Sequence, residues 1–337
     1  MPDTIGIFPD LRNSHGGPAS FQRRLSEELR SRNTQVFYDT TQKGMDALLV
    51  INASRKIGSL VCARRRGTRI VQRLGTPFPS NRHMHIPLSV RMLTWLGIWN
   101  MAFIRAHLAD RIVYQSNFVK ESWERIYGKV NKPFQVIYNG IDLSLFSAEG
   151  PKYESGADMC IISVEGTQCN PREHPAVLLA ETLVGKGLST EVLVFGDDYH
   201  KESSLWDTYP FVRFMGTVPN ASLPYYYRGA TVYVQIDAIA ACPNSVIEAL
   251  ACGTPVIGFN TSVLPEMLSP QAGCCVNTSG NPWKGEAPGN VPGLVEAALE
   301  IYRDNGSYRK GARRLAEERY GLARMVYEYR NALFGGN

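Results

Sequence analysis

Short apolar segments alternate with helical patterns through the chain, in two series, and this alternation restricts the possible folds. The first series opens with Thr4–Phe8, and Phe21, Leu25 and Leu29 then recur at intervals of four after Pro18, which suits a first helical turn. Such alternation predicts a parallel sheet with helices on both faces. The further strands predicted in this series are Val36–Tyr38, Ala47–Ile51, Arg69–Leu74, Ile112–Gln115 and Gln135–Tyr138.

The second series begins after a polar stretch, Ser147–Asp158, whose glycines and proline indicate a linker between domains. We predict an α/β protein of two Rossmann-like, doubly wound parallel sheets that face a cleft, with domains 1–150 and 151–337. The tail, Tyr308–Phe334, reads as helix, and we consider that its end packs back on the first domain. Its predicted packing face is Leu315, Met325, Tyr329 and Leu333. The strands predicted in this series are Met159–Val164, Glu191–Phe195, Val212–Met215, Thr231–Gln235 and Pro255–Phe259.

Composition excludes several classes of protein. With 44% hydrophobic and 20% charged residues, the chain reads as folded and globular. It has neither an apolar run long enough to span a membrane nor a basic-then-apolar leader, so we expect a soluble, cytoplasmic protein. Its seven cysteines are odd in number and form no C-x-x-C pair, which predicts reduced, buried thiols rather than disulfides or a zinc site.

Charge divides unevenly along the chain. Residues 1–150 hold 21 Lys and Arg against 11 Asp and Glu, a net of +10, and the remainder has a net of −5. The front half should therefore favour an anionic acceptor or an anionic membrane surface, although a solvated basic face explains any single cluster such as Arg64–Arg66 equally well. We expect no nucleic-acid partner, because the basic residues are not interleaved with aromatics in a recognisable module.

One helical pattern carries large apolar residues at spacings of three or four. It usually indicates core packing, but an exposed version beside the basic first domain would dock peripherally on a membrane that bears a lipid-linked acceptor. Both interpretations stay open at this point. The stripe is Leu88, Met92, Trp95, Trp99 and Phe103, with Arg91 and Arg105 nearby.

The strongest chemical signal lies in residues 240–266. Pro243 fixes an extended approach, Asn244 or Ser245 can cap a short helix, and Gly253 ends it. Backbone N–H groups at a helix start suit a phosphate. Glu248 either holds the vicinal hydroxyls of a ribose or is a first-turn acid that complements the helix dipole.

Three motifs occur in one order: the glycine loop Gly16-Gly17-Pro18, the N-G-x-D segment within Val136–Asp142, and the run from Cys242 to Ile257 closed by Pro265-Glu266. Together they resemble glycosyltransferase family 4, the retaining enzymes of the GT-B fold. The resemblance implies that Glu248 holds the donor ribose and that Gly16 and Gly17 let the backbone close on the diphosphate and acceptor. It also implies that Asn244, Ser245 and the backbone near Ser262 and Val263 approach the diphosphate or sugar, and that Gly216, Thr217 and Val218 lie near the base.

The match has departures. The family commonly carries an acidic residue where this chain has Ala240; Asp237 either substitutes for it or is an ordinary loop aspartate. Of the two cations expected after the first strand of the second domain, only Arg172 is a candidate. Thr261–Leu264 replaces a usual glycine pair.

The chemistry needs charge stabilisation on the leaving phosphate, which helix starts and cations provide. The sequence contains no D-x-D motif, and Asp197-Asp198 is an adjacent pair on a predicted turn. We therefore expect no metal ion. We also expect no cofactor, because the nucleotide-sugar is a substrate. We take His15, Arg172 and Glu248 as candidate catalytic residues. His15 contacts acceptor or phosphate, acts as a base, or is a plain turn histidine. Arg73 reaches the acceptor side or forms a surface ion pair.

These features predict a hexosyltransferase that moves a sugar from a UDP- or GDP-sugar to a glycan or lipid-linked acceptor with retention, in building a surface polysaccharide. Two alternatives stay open: a nucleotide-sugar epimerase of the same architecture and a non-catalytic nucleotide-sugar binding protein. An NAD-dependent enzyme is disfavoured, because no G-x-G-x-x-G follows either opening strand.

Overall fold

The structure, a computed structural model, describes residues 3–14, 16–77, 88–164, 171–196, 203–280 and 289–335, with the backbone alone for 88–91 and 203–204. The chain forms two compact units, the first made of Met1–Gly140 with Leu322–Asn337 and the second of Ile141–Gly321. The division falls between Gly140 and Ile141, ahead of the linker that the sequence indicates. The reason is that Ile141 already pairs with Gly321 and donates its N–H to the Tyr320 carbonyl at 2.9 Å, both in the second unit.

The first unit is built on a parallel six-stranded sheet whose strand order is β2-β1-β3-β4-β5-β6. Its apolar strand residues, such as Ile5, Leu49 and Val71, are fully buried, which explains why these runs form the centre of the sheet. The strands are β1 (Thr4–Phe8), β2 (Gln35–Phe37), β3 (Ala47–Ile51), β4 (Arg69–Leu74), β5 (Arg111–Tyr114) and β6 (Phe134–Val136). The helices are α1 (Gly17–Ser31), α2 (Ile57–Arg65), α3 (Leu88–Phe103), which continues into a π-helical turn (Ile104–Leu108), and α4 (Asn117–Tyr127).

The second unit holds another parallel six-stranded sheet, with strand order β12-β11-β10-β7-β8-β9. Its strands are β7 (Met159–Ser163), β8 (Thr190–Phe195), β9 (Val212–Gly216), β10 (Val232–Gln235), β11 (Val256–Phe259) and β12 (Gly273–Val276). Its helices are α5 (Pro175–Gly185), α6 (Ser203–Trp206), α7 (Leu223–Gly229), α8 (Asn244–Ala251), α9 (Leu264–Met267), α10 (Val291–Arg303) and α11 (Asn305–Arg319), with 3₁₀ turns at Pro171–Glu173 and Asn220–Ser222. The predicted α/β class is therefore confirmed.

The helical tail ends in a separate helix, α12 (Leu322–Phe334), and is not continuous as the pattern suggested. The break falls at Tyr320 and Gly321, where the buried Tyr320 donates its hydroxyl to the Met267 carbonyl at 2.8 Å and fixes the end of α11. The prediction of one packing face shared by Leu315 and the residues of α12 is consequently wrong, because Leu315 is buried in the second unit. Met325, Tyr329 and Leu333 instead join the core of the first unit.

Each sheet contains a point where the chain order reverses. In the first sheet β1 lies between β2 and β3, and in the second β7 lies between β8 and β10. Ligands of doubly wound sheets bind outside the carboxyl ends of the strands at such a point. The described part of the chain contains no helix that is both long and apolar enough to cross a membrane.

A neutral histidine is built into the core of the second unit. His174 is fully buried at the start of α5, where its Nδ1 accepts the Ala176 N–H at 3.3 Å and its ring meets that of Trp206 edge-on at 5.5 Å. Burial lowers the pKa of His174 to about 4. The ordinary pKa of histidine is about 6.5. Between about pH 6.5 and pH 4 this histidine is therefore protonated in the unfolded chain and neutral in the folded protein.

We expect this histidine to make stability depend on pH. Because the unfolded state binds more protons between these pH values, the free energy of unfolding has its full value above about pH 6.5. It should fall by about 2 kcal/mol on going from pH 7.5 to pH 5. His174→Asn keeps an acceptor for the Ala176 N–H but does not titrate, so its stability should change less over the same interval. Urea titrations at the two pH values measure both slopes, and parallel slopes would contradict the assignment.

Candidate functional site

The predicted donor residues lie at the carboxyl ends of strands of the second sheet or in the segments that follow those strands. Because all its strands are parallel, their carboxyl ends lie at a common edge. Arg172 follows β7, Gly216 ends β9, Pro243 follows β10 and Ser262 follows β11. The topology therefore brings towards a common edge segments that are far apart in the chain, and the side chain of Arg172 is exposed.

The start of α8 has no side-chain cap. Pro243 occupies the N-cap position with extended geometry, φ −68° and ψ 126°, and Asn244 and Ser245 are the first two helical residues. The prediction that Asn244 or Ser245 caps this helix is thus wrong, because the extended ψ of Pro243 makes it the N-cap and the helix begins at Asn244. A helix start of this kind, with the positive end of the helix dipole, suits an anionic group.

Glu248 is the fifth residue of α8, and its side chain is only 4% exposed. The alternative that it is a first-turn acid is wrong, since the first turn holds no acidic residue. One carboxylate oxygen accepts from Asn220 Nδ2 at 3.2 Å and the other from the Tyr227 hydroxyl at 3.5 Å. A carboxylate has about four acceptor positions, which makes it a group suited to receiving the vicinal hydroxyls of a ribose.

Sequence reasoning missed Asn220 and Tyr227. Asn220 lies two residues beyond the Gly216–Val218 segment that the resemblance placed near the base, and that proximity was the only available signal. Gly216 has φ +64°, at a register shift between β8 and β9 that turns the chain towards Asn220. A residue two positions beyond the predicted base segment is therefore hydrogen-bonded to the predicted ribose carboxylate.

The remaining donor-side residues have different accessibility. Ser262 is 8% exposed, and Val263, at the N-cap of α9, is fully buried, so of Val263 only the backbone is suited to ligand contact. Ala240 is 5% exposed. Asp237, the candidate substitute, accepts the Ile239 N–H at 2.9 Å and so organises the loop that leads to α8.

The glycine loop lies after β1 in the first unit. Gly16 has φ +92° and ψ −179°, a conformation that strongly favours glycine, and it is the N-cap of α1 without a side-chain hydrogen bond. A Cβ at Gly16 or at Gly17 would meet no atom within 4 Å, so both backbones are open. The predictions for His15 lie outside the described residues.

Arg73 lies near the end of β4 and is 1% exposed. Its Nη2 donates to Gln115 Oε1 at 2.7 Å and to Asn139 Oδ1 at 2.8 Å, and its guanidinium carbon is 3.9 Å from the centroid of the Phe21 ring. The alternative of a surface ion pair is therefore wrong. The cation instead joins β4 to the chain after β5, the chain after β6 and α1.

The apolar stripe on α3 is exposed to solvent over its described side chains, so its core-packing interpretation is wrong. Trp99 is 65% and Trp95 45% exposed. Arg105 is 1% exposed, and it donates from Nε to the Tyr114 hydroxyl at 3.0 Å and from Nη2 to the Gly128 carbonyl at 2.9 Å. The predictions for the side chains of Leu88 and Arg91 lie outside the described residues.

The described cysteines are free thiols. Cys160, Cys242 and Cys252 are buried as predicted, whereas Cys62 and Cys275 are exposed. Cys169 lies outside the described residues.

Two family models match the chain. Glycosyltransferase Family 4 matches residues 7–145, and Glycosyl transferases group 1 matches residues 175–304, so together they cover well over half of the chain. One curated relative, O-antigen chain mannosyltransferase B of Escherichia coli, is 34% identical over 58 residues. That segment is 17% of this chain and only 15% of the length of the relative.

Solved structures share the fold. Sucrose-phosphate synthase from Thermosynechococcus elongatus superposes with a TM-score of 0.72 at 15% identity over 97% of both chains. Anabaena Alr3699/HepE in complex with UDP and glucose superposes with a TM-score of 0.66 at 12% identity over 99% of both chains. The family models, together with two parallel sheets of this order, identify the chain as a member of glycosyltransferase family 4 with the GT-B fold, and hence as a glycosyltransferase.

Proposed function

We propose that this glycosyltransferase transfers a hexose from a UDP- or GDP-sugar to a glycan or lipid-linked acceptor, with retention of anomeric configuration and without a metal ion. The second unit binds the donor and the first unit the acceptor. The observation that carries the proposal is the buried Glu248 carboxylate, held by Asn220 and Tyr227 on the helix whose start has no side-chain cap. The complex of HepE with UDP and glucose and the name of the mannosyltransferase relative support a nucleotide-sugar donor.

Each site residue has a distinct role in the proposed reaction. Glu248 accepts the ribose hydroxyls, and the start of α8 at Asn244 and Ser245 faces the diphosphate, where negative charge grows as the sugar becomes oxocarbenium-like. The exposed Arg172 adds a cation, and the open backbone of Gly16 and Gly17 contacts the diphosphate and acceptor. In a retaining front-face reaction the leaving phosphate takes the proton of the acceptor, so no protein nucleophile is required. We assign His15 to acceptor or phosphate contact.

We further propose that the enzyme works in the cytoplasm and at the inner face of the membrane, in building a surface polysaccharide. The net charge of +10 over residues 1–150, which include most of the first unit, supports an anionic acceptor or membrane surface for that unit. No nucleic acid takes part.

Release of nucleoside diphosphate tests the reaction. A panel of UDP- and GDP-sugars is incubated with and without candidate glycan and lipid-linked acceptors, with and without EDTA. We expect one donor to yield nucleoside diphosphate only when its acceptor is present, and the product to keep the anomeric configuration of the donor. Conversion of the donor sugar without acceptor would establish an epimerase, and tight binding without turnover would establish a binding protein. Loss of turnover in EDTA would contradict metal independence.

A further inference from the structure

One helix of the first unit exposes an unusual amount of apolar surface. Between Met92 and Ile104 the chain has no charged residue, although the described helix presents most of its large side chains to solvent. Among the large apolar side chains that the structure describes on this helix, only Ile98 and Met101 are buried. We call the exposed set the α3 face, with fractional exposures of Met92 61%, Leu93 64%, Trp95 45%, Leu96 58%, Trp99 65% and Phe103 47%.

The α3 face is larger than the apolar patch that a folded protein usually exposes. Scattered apolar residues on a surface are normal, but six within twelve positions of one helix form a contiguous patch of the kind that marks an interaction site. Two of the six are tryptophans, which favour the boundary between an apolar phase and water.

Cations flank the α3 face on one side through the chain before α2. Asn100 on α3 accepts the Ser54 N–H at 3.0 Å, which fixes Ser54 beside the helix. The next two residues, Arg55 and Lys56, are both exposed.

Cations also flank it through α4 and through the π-helical turn. The Trp99 ring meets the Tyr127 ring edge-on at 6.1 Å, and Arg125 and Lys129, close to Tyr127 in sequence, are exposed. Beyond the end of α3, Arg64 Nη1 donates to the His107 carbonyl at 2.7 Å.

The acidic residues of these elements number three, against six named lysines and arginines. Asp110 is paired with Arg64 at 3.3 Å and Glu124 with Lys120 at 3.1 Å, which leaves Glu121 of α4 as an exposed carboxylate. The apolar face is therefore bordered by an excess of positive charge.

We propose that the α3 face docks on a lipid surface that carries anionic headgroups. The helix lies along the interface with its apolar side chains among the acyl chains, while the flanking lysines and arginines contact the phosphates. A second copy of this chain is a poorer occupant, because a symmetric pair through α3 brings the same cations against each other. The inference rests on the proposed function, because a lipid-linked acceptor lies in the membrane and the enzyme must reach it there.

Cosedimentation with vesicles tests the docking. The probes are vesicles of phosphatidylcholine alone and vesicles that also contain phosphatidylglycerol. Trp95→Ser/Trp99→Ser is expected to lower the partition coefficient on the anionic vesicles by roughly tenfold or more, because two half-exposed indoles lose their apolar contact. The matched control is Tyr327→Ser, which removes an aromatic side chain, 64% exposed, from α12 of the same unit and should bind vesicles like the wild type.

A charge pair provides a second arm. Arg125→Gln/Lys129→Gln should weaken binding to the anionic vesicles by about fivefold for each charge and leave binding to pure phosphatidylcholine unchanged. Equal vesicle binding by the wild type and Trp95→Ser/Trp99→Ser would overturn the proposal. So would a wild-type dimer, measured by light scattering, that this double variant dissociates while neither protein binds vesicles.

The same variants separate this inference from the proposed function. Nucleotide-dependent thermal stabilisation is measured without lipid and depends on the second unit, so the tryptophan variant should retain it. Lost vesicle binding with retained stabilisation supports docking. Vesicle binding with no stabilisation by any nucleotide would overturn the proposed donor site and leave docking intact.

Discussion

Replacing Glu248 with glutamine is expected to weaken binding of the nucleoside diphosphate by about a hundredfold. Each hydrogen bond from a ribose hydroxyl to a charged carboxylate contributes about 1.5 kcal/mol or more, and the amide provides only one acceptor oxygen. The loss of about 3 kcal/mol corresponds to two orders of magnitude in the dissociation constant. The variant should therefore show almost no rise in melting temperature at nucleotide concentrations that stabilise the wild type, because the rise follows the ratio of ligand to dissociation constant.

A second buried glutamate in the same unit provides the control. Glu191, 8% exposed, is the second residue of β8 and lies at the amino end of that strand. Its carboxylate accepts from the Tyr153 hydroxyl at 3.0 Å and from Ser155 Oγ at 2.6 Å. Glu191→Gln should lower the unliganded melting temperature but keep the nucleotide-dependent rise. If Glu248→Gln bound nucleotide as tightly as the wild type, the ribose assignment would be lost.

Most strands were predictable because a strand buried on both faces is encoded as a short run of apolar residues. Strands buried on both faces require continuous apolar runs, such as Ala47–Ile51 and Met159–Ser163, and each predicted run forms a strand. The edge strand Gly273–Val276 escaped prediction. It is four residues long, contains a glycine and two cysteines, and is only partly buried, so its pattern has no apolar run or clear alternation.

The donor carboxylate was predictable from local sequence, but its partners were not. Glu248 lies in a run whose helix start and end are encoded within a few residues by Pro243 and Gly253. Asn220 precedes it by 28 residues, and its contact depends on where β9 ends relative to α8. Such a contact is fixed by packing between elements, which a single sequence does not record.

The α3 helix shows the same limit. The spacing of Trp95, Trp99 and Phe103 is the same for a helix that faces a core and for one that faces outward. The structure decides between the two because Ile98 and Met101 occupy the side that packs on the unit. Periodicity therefore predicted the helix, whereas the direction of its apolar side depended on its neighbours.

Replacing Arg73 with methionine is expected to lower the free energy of unfolding by about 2 to 4 kcal/mol. The guanidinium donates to the amide oxygens of Gln115 and Asn139, which are 7% and 5% exposed, and leaving such an acceptor unsatisfied costs about 1 to 3 kcal/mol. The contact with the Phe21 ring is lost as well. Removing a buried charge offsets part of this, and methionine retains most of the buried volume.

The matched control for Arg73→Met is Arg66→Met, which makes the same substitution at an exposed position beyond α2 and should change stability by less than about 0.5 kcal/mol. Urea unfolding followed by circular dichroism measures both variants. Phe21 lies on α1, whose N-cap is Gly16, so the loss of the Arg73 contact should also lower turnover by loosening the glycine loop. Full stability in Arg73→Met together with lost turnover would contradict the structural role, and would instead make Arg73 a direct contact of the acceptor.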